Sequence, residues 1–587
     1  MSKDVRSRRP GARGAQRTSR SRHAISPSRP ADERLVDADP IQPLAPLTDA
    51  STLARVVSHL APETLHQFIR QRGLDACGEL VTLATPEQLT SVLDLDLWRS
   101  PRPGRDGQFD AERFGEWLEL LVDTGDAVAA RIVAGIDGKL VAAGLSRYIR
   151  VFDPASFAPS ASTDDEPIDA GAARPDGPAC EVGGYVVVAR RPDSWDAVVA
   201  LLRALDVDHA DYFHAAMRGC RRLSNSPREI DGLDNFLTEP EQLLLDVGLE
   251  RERRQSERGY VTPADARAFL RLARERGRSH PGGTPSVNPV AAAYFRAAAE
   301  WPASADRVLR SEERTPNLPP TGTAGNDAFD SIVDLLDDAG FVPRRPKALL
   351  EGEGPRRTRL THIVRVMEHV RDSNDTAYYM RSRELAFLAN NLIAGCSIQA
   401  RAFTPQEGFD AAVGICNLGL EHWPARWPES AVRLAADFGV PLPDTFLLDH
   451  DLATAFEVGW AVLHEDVSLL VAEQLGSVLN KMRCVDAEIQ DGLHALRREL
   501  VRQRDAGTPW RARDALDAIA MLDMPAWVSL NGLMDECPVL HAALTAILGG
   551  RTGAISATAF EFITTRRQLD VVREFMARLP GILSGSR

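Results

Sequence analysis

Apolar side chains recur along most of this chain with the rhythm of an α-helix, and that spacing limits its fold more than any other property. Phe114, Trp117, Leu118 and Leu121 fall at i, i+3, i+4 and i+7, and Val128, Ile132, Val133 and Ile136 repeat the pattern. Farther on, Val485, Ile489, Leu493, Leu496 and Leu500 mark one helical face. The closing run of Phe560, Phe562, Ile563, Leu569, Val572, Phe575 and Leu579 reads as part of the same helical body.

Helix starts punctuate this rhythm. In Thr85-Pro86-Glu87-Gln88 the hydroxyl can cap a free N–H, proline fits the first turn, and Gln88 can reach back to close a capping box. Thr238-Glu239-Pro240-Glu241, Thr262-Pro263-Ala264-Asp265 and Thr404-Pro405-Gln406-Glu407 repeat the device, and Ser194 reads as a cap before Trp195. Leu60-Ala61-Pro62-Glu63-Thr64-Leu65 resembles Leu83-Ala84-Thr85-Pro86-Glu87-Gln88-Leu89, an internal repeat that suggests stacked helical hairpins. Strand pattern is confined to Ile149–Phe152 and Tyr185–Val188, so alternation of strands and helices is not expected.

The predicted fold class is therefore all-α. Stacked helical hairpins, a short α-solenoid, occupy the N-terminal half, a separate helical body follows, and a minor β element lies near 149–152 and 185–188. The expected organisation is a disordered basic tail over 1–45, a helical repeat domain over 46–153 and a Pro/Gly-rich linker over 154–184. A second helical segment covers 185–278, a linker with one helix 279–326, and the C-terminal helical domain 327–587.

Charge divides the chain. Residues 1–34 carry ten Lys/Arg against Asp4, Asp32 and Glu33, a net +7, which leaves −21 on residues 35–587 of the total −14. An acidic body repels polyanions, so nucleic acid or an anionic surface could meet the chain only through residues 1–34. The seven cysteines are dispersed and form no C-x-x-C, which fits a reducing compartment rather than a disulfide framework. The longest apolar stretch, Leu385–Ala400, is too short and polar to cross a bilayer, and the N-terminus lacks the apolar core of a secretory signal. A cytoplasmic location is expected.

Residues 51–153 resemble the helical N-terminal intracellular domain of MgtE-type magnesium transporters. The likeness rests on the helix starts at 60–65 and 83–89 followed by Val92-Leu93-Asp94-Leu95-Asp96-Leu97-Trp98. Transport itself is not implied, because the sequence has no transmembrane helices. Other blocks resemble an uncharacterised bacterial family of unknown function: Leu93–Trp98, Arg222-Leu223-Ser224-Asn225-Ser226, Gly259-Tyr260-Val261-Thr262-Pro263 and Glu384-Leu385-Ala386-Phe387-Leu388-Ala389-Asn390. That resemblance implies no activity.

Several constellations invite chemistry. His450-Asp451, preceded by Asp449 and with His422 upstream, matches the elements of a helical metal-dependent phosphohydrolase of HD type. His422, His450 and Asp451 would hold a divalent ion that activates water, with Asp486 or Asp491 as a further ligand. The simpler reading makes Asp449 a helix cap with His450 and Asp451 in the first turn. Asp206-x-Asp208-His209-x-Asp211 lacks the glycine of a calcium loop and reads as an acidic turn. Gly135-Ile136-Asp137-Gly138-Lys139 lacks phosphate-loop spacing and reads as a helix–helix turn. His464-Glu465-Asp466 reads as a helix start. The nine arginines of 249–278 alternate with acids as on a solvated face, and Cys396 and Cys416 read as buried inert thiols. The expected function is a non-enzymatic helical scaffold or adaptor that binds another protein and needs no cofactor. The phosphohydrolase and a nucleic-acid role for the tail are its alternatives.

Overall fold

A computed structural model describes residues 57–58, 60–100, 104–154, 177–224, 239–278, 288–300, 360–399, 401–428, 431–432, 446–481, 494, 498, 501, 524–549 and 559–583. The chain divides into two units, Met1–Thr48 and Asp49–Arg587. The first unit, with the basic tail, lies outside the described residues. So do Thr238, the stripe residues Val485, Ile489, Leu493, Leu496 and Leu500, and the Pro/Gly-rich stretches 155–176, 279–287 and 315–326.

The described residues are mostly helical. Pro62 opens α1 (Pro62–Arg72) and, after the short α2 (Gly78–Leu83), Pro86 opens α3 (Pro86–Asp96), so both halves of the sequence repeat start helices. The capping box at Thr85 is formed: Gln88 N–H donates to the Thr85 hydroxyl and Thr85 N–H to Gln88 Oε1. Gln88 Nε2 donates further to the carbonyls of Val57 and Leu60, 2.8 and 2.7 Å away, so the cap also ties α3 to the chain before α1. Helices α4 (Ala111–Asp123), α5 (Asp126–Ala134) and α6 (Gly138–Tyr148) follow, and Asp137 caps α6 at the turn from α5.

Between α6 and the next helices lies the expected β element, larger than the sequence suggests. Strands β3 (Ile149–Phe152), β4 (Ala179–Val182) and β5 (Tyr185–Ala189) form an antiparallel sheet in the order β3-β5-β4, with Phe152 opposite Val186 and Cys180 opposite Val187. Two further ribbons escape the sequence reading: β1 (Trp98–Arg99) pairs with β2 (Gln108–Phe109), and β6 (Val539–His541) with β7 (Phe560–Phe562). Strands of two or three residues have too few positions to establish a period. Phe560 and Phe562, read as helical, therefore belong to β7.

Helices α7 (Trp195–Asp208), α8 (Ala210–Ser224) and α9 (Glu239–Glu257) complete the first apolar core, in which Leu65, Trp117, Leu140, Leu202, Phe213 and Val247 meet. Ser194 is not the expected side-chain cap of α7. It sits at φ 56°, and its hydroxyl donates instead to Glu119 Oε1 at 2.6 Å.

A second core begins at α10 (Pro263–Arg278), where Thr262 caps Asp265 N–H, and includes α11 (Pro289–Glu300), α12 (Thr361–Ser373), α13 (Asp375–Gly395) and α14 (Pro405–Arg426). Thr404 and Glu407 form the expected capping box of α14. Then come α15 (Phe446–Asp449), α16 (Leu452–Leu463), a π-helical turn (His464–Leu469), α17 (Leu470–Lys481), α18 (Met524–Leu533), α19 (Ala542–Leu548) and α20 (Arg566–Leu583). Helix α16 is apolar almost all round, as a helix buried on every side must be. Glycine allows its neighbours to close on it. A Cβ on Gly459 would lie 2.0 Å from the Ile415 carbonyl oxygen, and one on Gly419 1.9 Å from that of Ala455. On the other flank, a Cβ on Gly277 would lie 1.9 Å from the Glu457 carbonyl oxygen.

Two of the sequence blocks bind the cores together. Gly259, at φ +88°, offers its carbonyl to Asn390 Nδ2 (2.8 Å) and the Tyr294 hydroxyl (3.1 Å), while the next residue, Tyr260, donates to Glu63 Oε1 (2.7 Å). Asp94, 4% exposed, receives both Nε and Nη2 of Arg254 at 2.8 Å, and its backbone carbonyl accepts Arg251 Nε at 2.7 Å. The Arg251 guanidinium also lies over the Trp98 ring, 5.0 Å from its centroid. The arginines of 249–278 are thus divided: Arg253 pairs with Glu250 and Glu257 on an exposed face as expected, but Arg251, Arg254 and Arg276 turn inward.

Gly459→Ala is expected to lower unfolding stability by about 3 kcal/mol, because two backbones must separate to admit a methyl group. Gly581→Ala, where a Cβ meets nothing within 4 Å, is expected to be neutral or stabilising by up to about 1 kcal/mol. Asp94→Ala leaves Arg254 without its carboxylate and is expected to cost about 3–5 kcal/mol. Urea denaturation of each variant beside the parent chain measures these differences.

Candidate functional site

The His-Asp pair occupies the turn between α15 and α16. Asp449 ends α15, and Asp451, not Asp449, is the cap: Thr454 N–H donates to its Oδ1 at 2.7 Å. His450 is buried against aromatic rings, 4.8 Å from Phe446 and 5.9 Å from Trp427 between centroids. His422, near the end of α14, donates from Nδ1 to the Leu418 carbonyl one turn back at 3.0 Å, which leaves Nε2 as its acceptor. Burial lowers the pKa of His422 and keeps the imidazole neutral. Phe446 packs on Trp423 at 5.1 Å, so this corner is an aromatic cluster built on α14 and α15. Among the described residues, no group of three or more His, Cys, Asp or Glu side chains is placed to hold a metal ion. Asp486 and Asp491 lie outside the described residues.

Other buried ionisable groups are bound into the packing. Burial alone would raise Asp96, yet hydrogen bonds from His66, Arg113 and Trp117 outweigh it and hold the carboxyl well below the usual range. Burial raises the thiols of Cys396, Cys416 and Cys537, which therefore remain protonated and poor nucleophiles. Glu465 and Asp466 do not start a helix as their sequence suggests. They lie in the π-helical turn, where Glu465 pairs with Arg278 and Arg426 and Asp466 with Arg573.

Glu457, only 2% exposed at the middle of α16, is a buried carboxylate whose ionised form its surroundings disfavour. Burial pushes its pKa up to about 7, against the hydrogen bond from Asn288 Nδ2 at 2.8 Å and the charge of Arg276, whose Nε lies 2.9 Å away. Asn288 in turn caps α11 through the Val290 N–H, so one carboxylate organises three helices.

An open groove lies elsewhere among the described residues, a cleft of about 670 Å³ formed by α5, β4 and α7. Helix α7 buries Val198, Leu201, Leu202 and Leu205 in the first core. Its other side lines the groove with Trp195, Val199, Ala200, Ala204 and Val207, and Val207 is 81% exposed. Ala127 of α5 and Cys180 of β4 complete the apolar lining, and burial raises the Cys180 thiol against the opposing charge of Arg203. Around the rim stand exposed Asp126, Asp196, Asp208 and Arg203, none with an ion-pair partner among the described residues. Asp126 and Asp196 suit the first turns of α5 and α7, but Asp208 ends α7, where the helix dipole disfavours an anion. Of the Asp206–Asp211 segment, expected as an acidic turn, only His209 lies between the helices: Asp206 and Asp208 belong to α7 and Asp211 to the first turn of α8. The segment's contribution to a groove depends on long-range packing, although the sequence does show one signal: α7 carries more apolar positions than a single buried face requires.

Folded Glu457 binds its proton more tightly than the unfolded chain does. Its stabilising contribution is complete below the ordinary value of 4.5 and is lost as pH rises through about 7. His464 works in the opposite sense. Burial, then Arg274 and Arg278, lower it from 6.5 to about 4, so its contribution is complete above 6.5 and is lost as pH falls through about 4. Stability of Glu457→Gln is therefore expected to rise more steeply with pH between 4.5 and 7 than that of the parent, while His464→Gln reverses the trend. Urea midpoints across that range measure both.

No curated protein and no solved structure matches the chain. The likeness of residues 51–153 to the magnesium transporters is not shown by these comparisons, and the blocks at 259–263 and 384–390 lie beyond the residues matched by the family. That match covers the whole groove: residues 20–229 are similar to a family of unknown function (DUF6178).

Proposed function

We propose that the chain is a non-enzymatic helical adaptor that holds another protein in the groove of α5, β4 and α7. The supporting observation is the contrast between that groove and the buried carboxylates of the two cores. Asp94, Asp96 and Glu457 are all engaged by cations or N–H donors, whereas the groove presents apolar side chains and unpaired charges to the surroundings. Exposed apolar patches rimmed by polar groups mark interaction surfaces. The groove also lies entirely within the segment matched by the family.

A cytoplasmic address fits the thiols, since all six cysteines among the described residues are free. No helix among the described residues is long and apolar enough to cross a membrane. Any contact with nucleic acid or an anionic surface belongs to residues 1–34, through their +7 charge.

A photo-crosslinking side chain at position 207 is expected to capture one defined protein in cells, and the same probe at the exposed Val432, which does not line the groove, is expected not to. The purified partner should then bind the full chain in calorimetry and lose about tenfold or more in affinity to Val207→Glu. Equal capture at both positions, or binding unaffected by Val207→Glu, would refute the adaptor reading.

A further inference from the structure

We propose that the groove's occupant is a single α-helix of the partner protein, with two large apolar side chains one turn apart and Lys or Arg beside them. The inference rests on the adaptor reading and adds the chemistry of the partner. Shape comes first. Most of the lining belongs to one helix, α7, and Ala200 and Ala204, one turn apart on it, form a floor of small side chains. Trp195 and Val207 stand near its two ends. Side chains repeating at four-residue spacing on one helix are complemented by ridges at the same spacing on another. At 1.5 Å per residue, the 14 residues of α7 give a track of roughly 21 Å, enough for about four turns of a second helix. Helix-in-groove recognition uses anchors at i and i+4 in this way.

Charge selects among helices. Three exposed carboxylates, Asp126, Asp196 and Asp208, face one exposed cation, Arg203, so the rim is negative by two charges. The carboxylate of Asp208 adds to the negative end of the α7 dipole. A cationic residue of the partner near Asp208 would relieve that repulsion. Positive side chains at both ends of the bound helix and a tolerated acid near Arg203 complete the pattern. An added strand is disfavoured, because β4 supplies only Cys180 to the lining.

The test is a displayed library of helical peptides with two fixed leucines one turn apart and flanking positions randomised among Lys, Arg, Glu and Gln. It is selected on the full chain and counter-selected on Val207→Glu. Enrichment of Lys and Arg in the selected helices is expected. Their affinity should fall about tenfold for the doubly substituted Asp196→Lys, Asp208→Lys chain, and high salt should reduce the difference. Asp196→Lys loses and Asp208→Lys gains a favourable interaction with the α7 dipole, so the melting temperature should change little, which separates binding from folding. Groove-dependent helices with unbiased or acidic flanks would overturn the basic partner while leaving the adaptor intact. Val207-sensitive binders that are extended rather than helical by circular dichroism would overturn the helix. Self-association of the chain, abolished by Val207→Glu, would replace the partner with a second copy and overturn the proposal. Failure of the adaptor itself is read separately, by crosslinking at position 207.

Discussion

The second core depends on how closely two helices can approach α16. Gly419 and Gly459 place the backbones of α14 and α16 in direct contact, and Gly277 does the same for α10. Dispersion forces fall steeply with separation, so such contact brings the surrounding leucines and phenylalanines to packing distance as well. One consequence is that α16 has no wet side on which to place Glu457. Arg276 and Asn288 must come to the carboxylate, and they bring α10 and the start of α11 with them. Tight apolar packing and a costly buried acid are therefore two aspects of one arrangement.

Much of the helical architecture is legible in the sequence because its causes are local. Thr85 with Gln88, Thr404 with Glu407 and Thr262 with Asp265 form the caps their spacing announces, since donor and acceptor lie within one turn. Ser194 and Asp449 show where local reasoning stops. Ser194 has a stronger partner in Glu119, 75 residues away, and the cap of α16 falls to Asp451. The arginines of 249–278 look alike in sequence, yet Arg254 and Arg276 are separated from Arg253 by acids that lie 160 and 181 residues distant. The paired strands β6 and β7 were hidden for the same reason. No property of Phe560-Glu561-Phe562 identifies Val539-Leu540-His541 as its partner.

The candidate site illustrates the same division. Sequence draws attention to His422, His450 and Asp451 because their residue types suggest metal chemistry, and the fold gives each a role in packing or capping. The groove went unnoticed because its residues are ordinary ones: a tryptophan, valines, alanines and aspartates on α7. What makes them a surface is the direction in which α5 and β4 leave them uncovered, and that is set by the first core rather than by α7 itself.

The π-helical turn at His464–Leu469 inserts, in effect, one extra residue between α16 and α17. Each residue of an α-helix advances the azimuth by about 100°, so the inserted position resets which flank of α17 meets its neighbours. The hydrophobic stripes of the two helices are consequently out of phase when read as one continuous sequence. A chain shortened by one residue at this point would keep its helical content but turn Val471 and Leu475 away from the core they now enter.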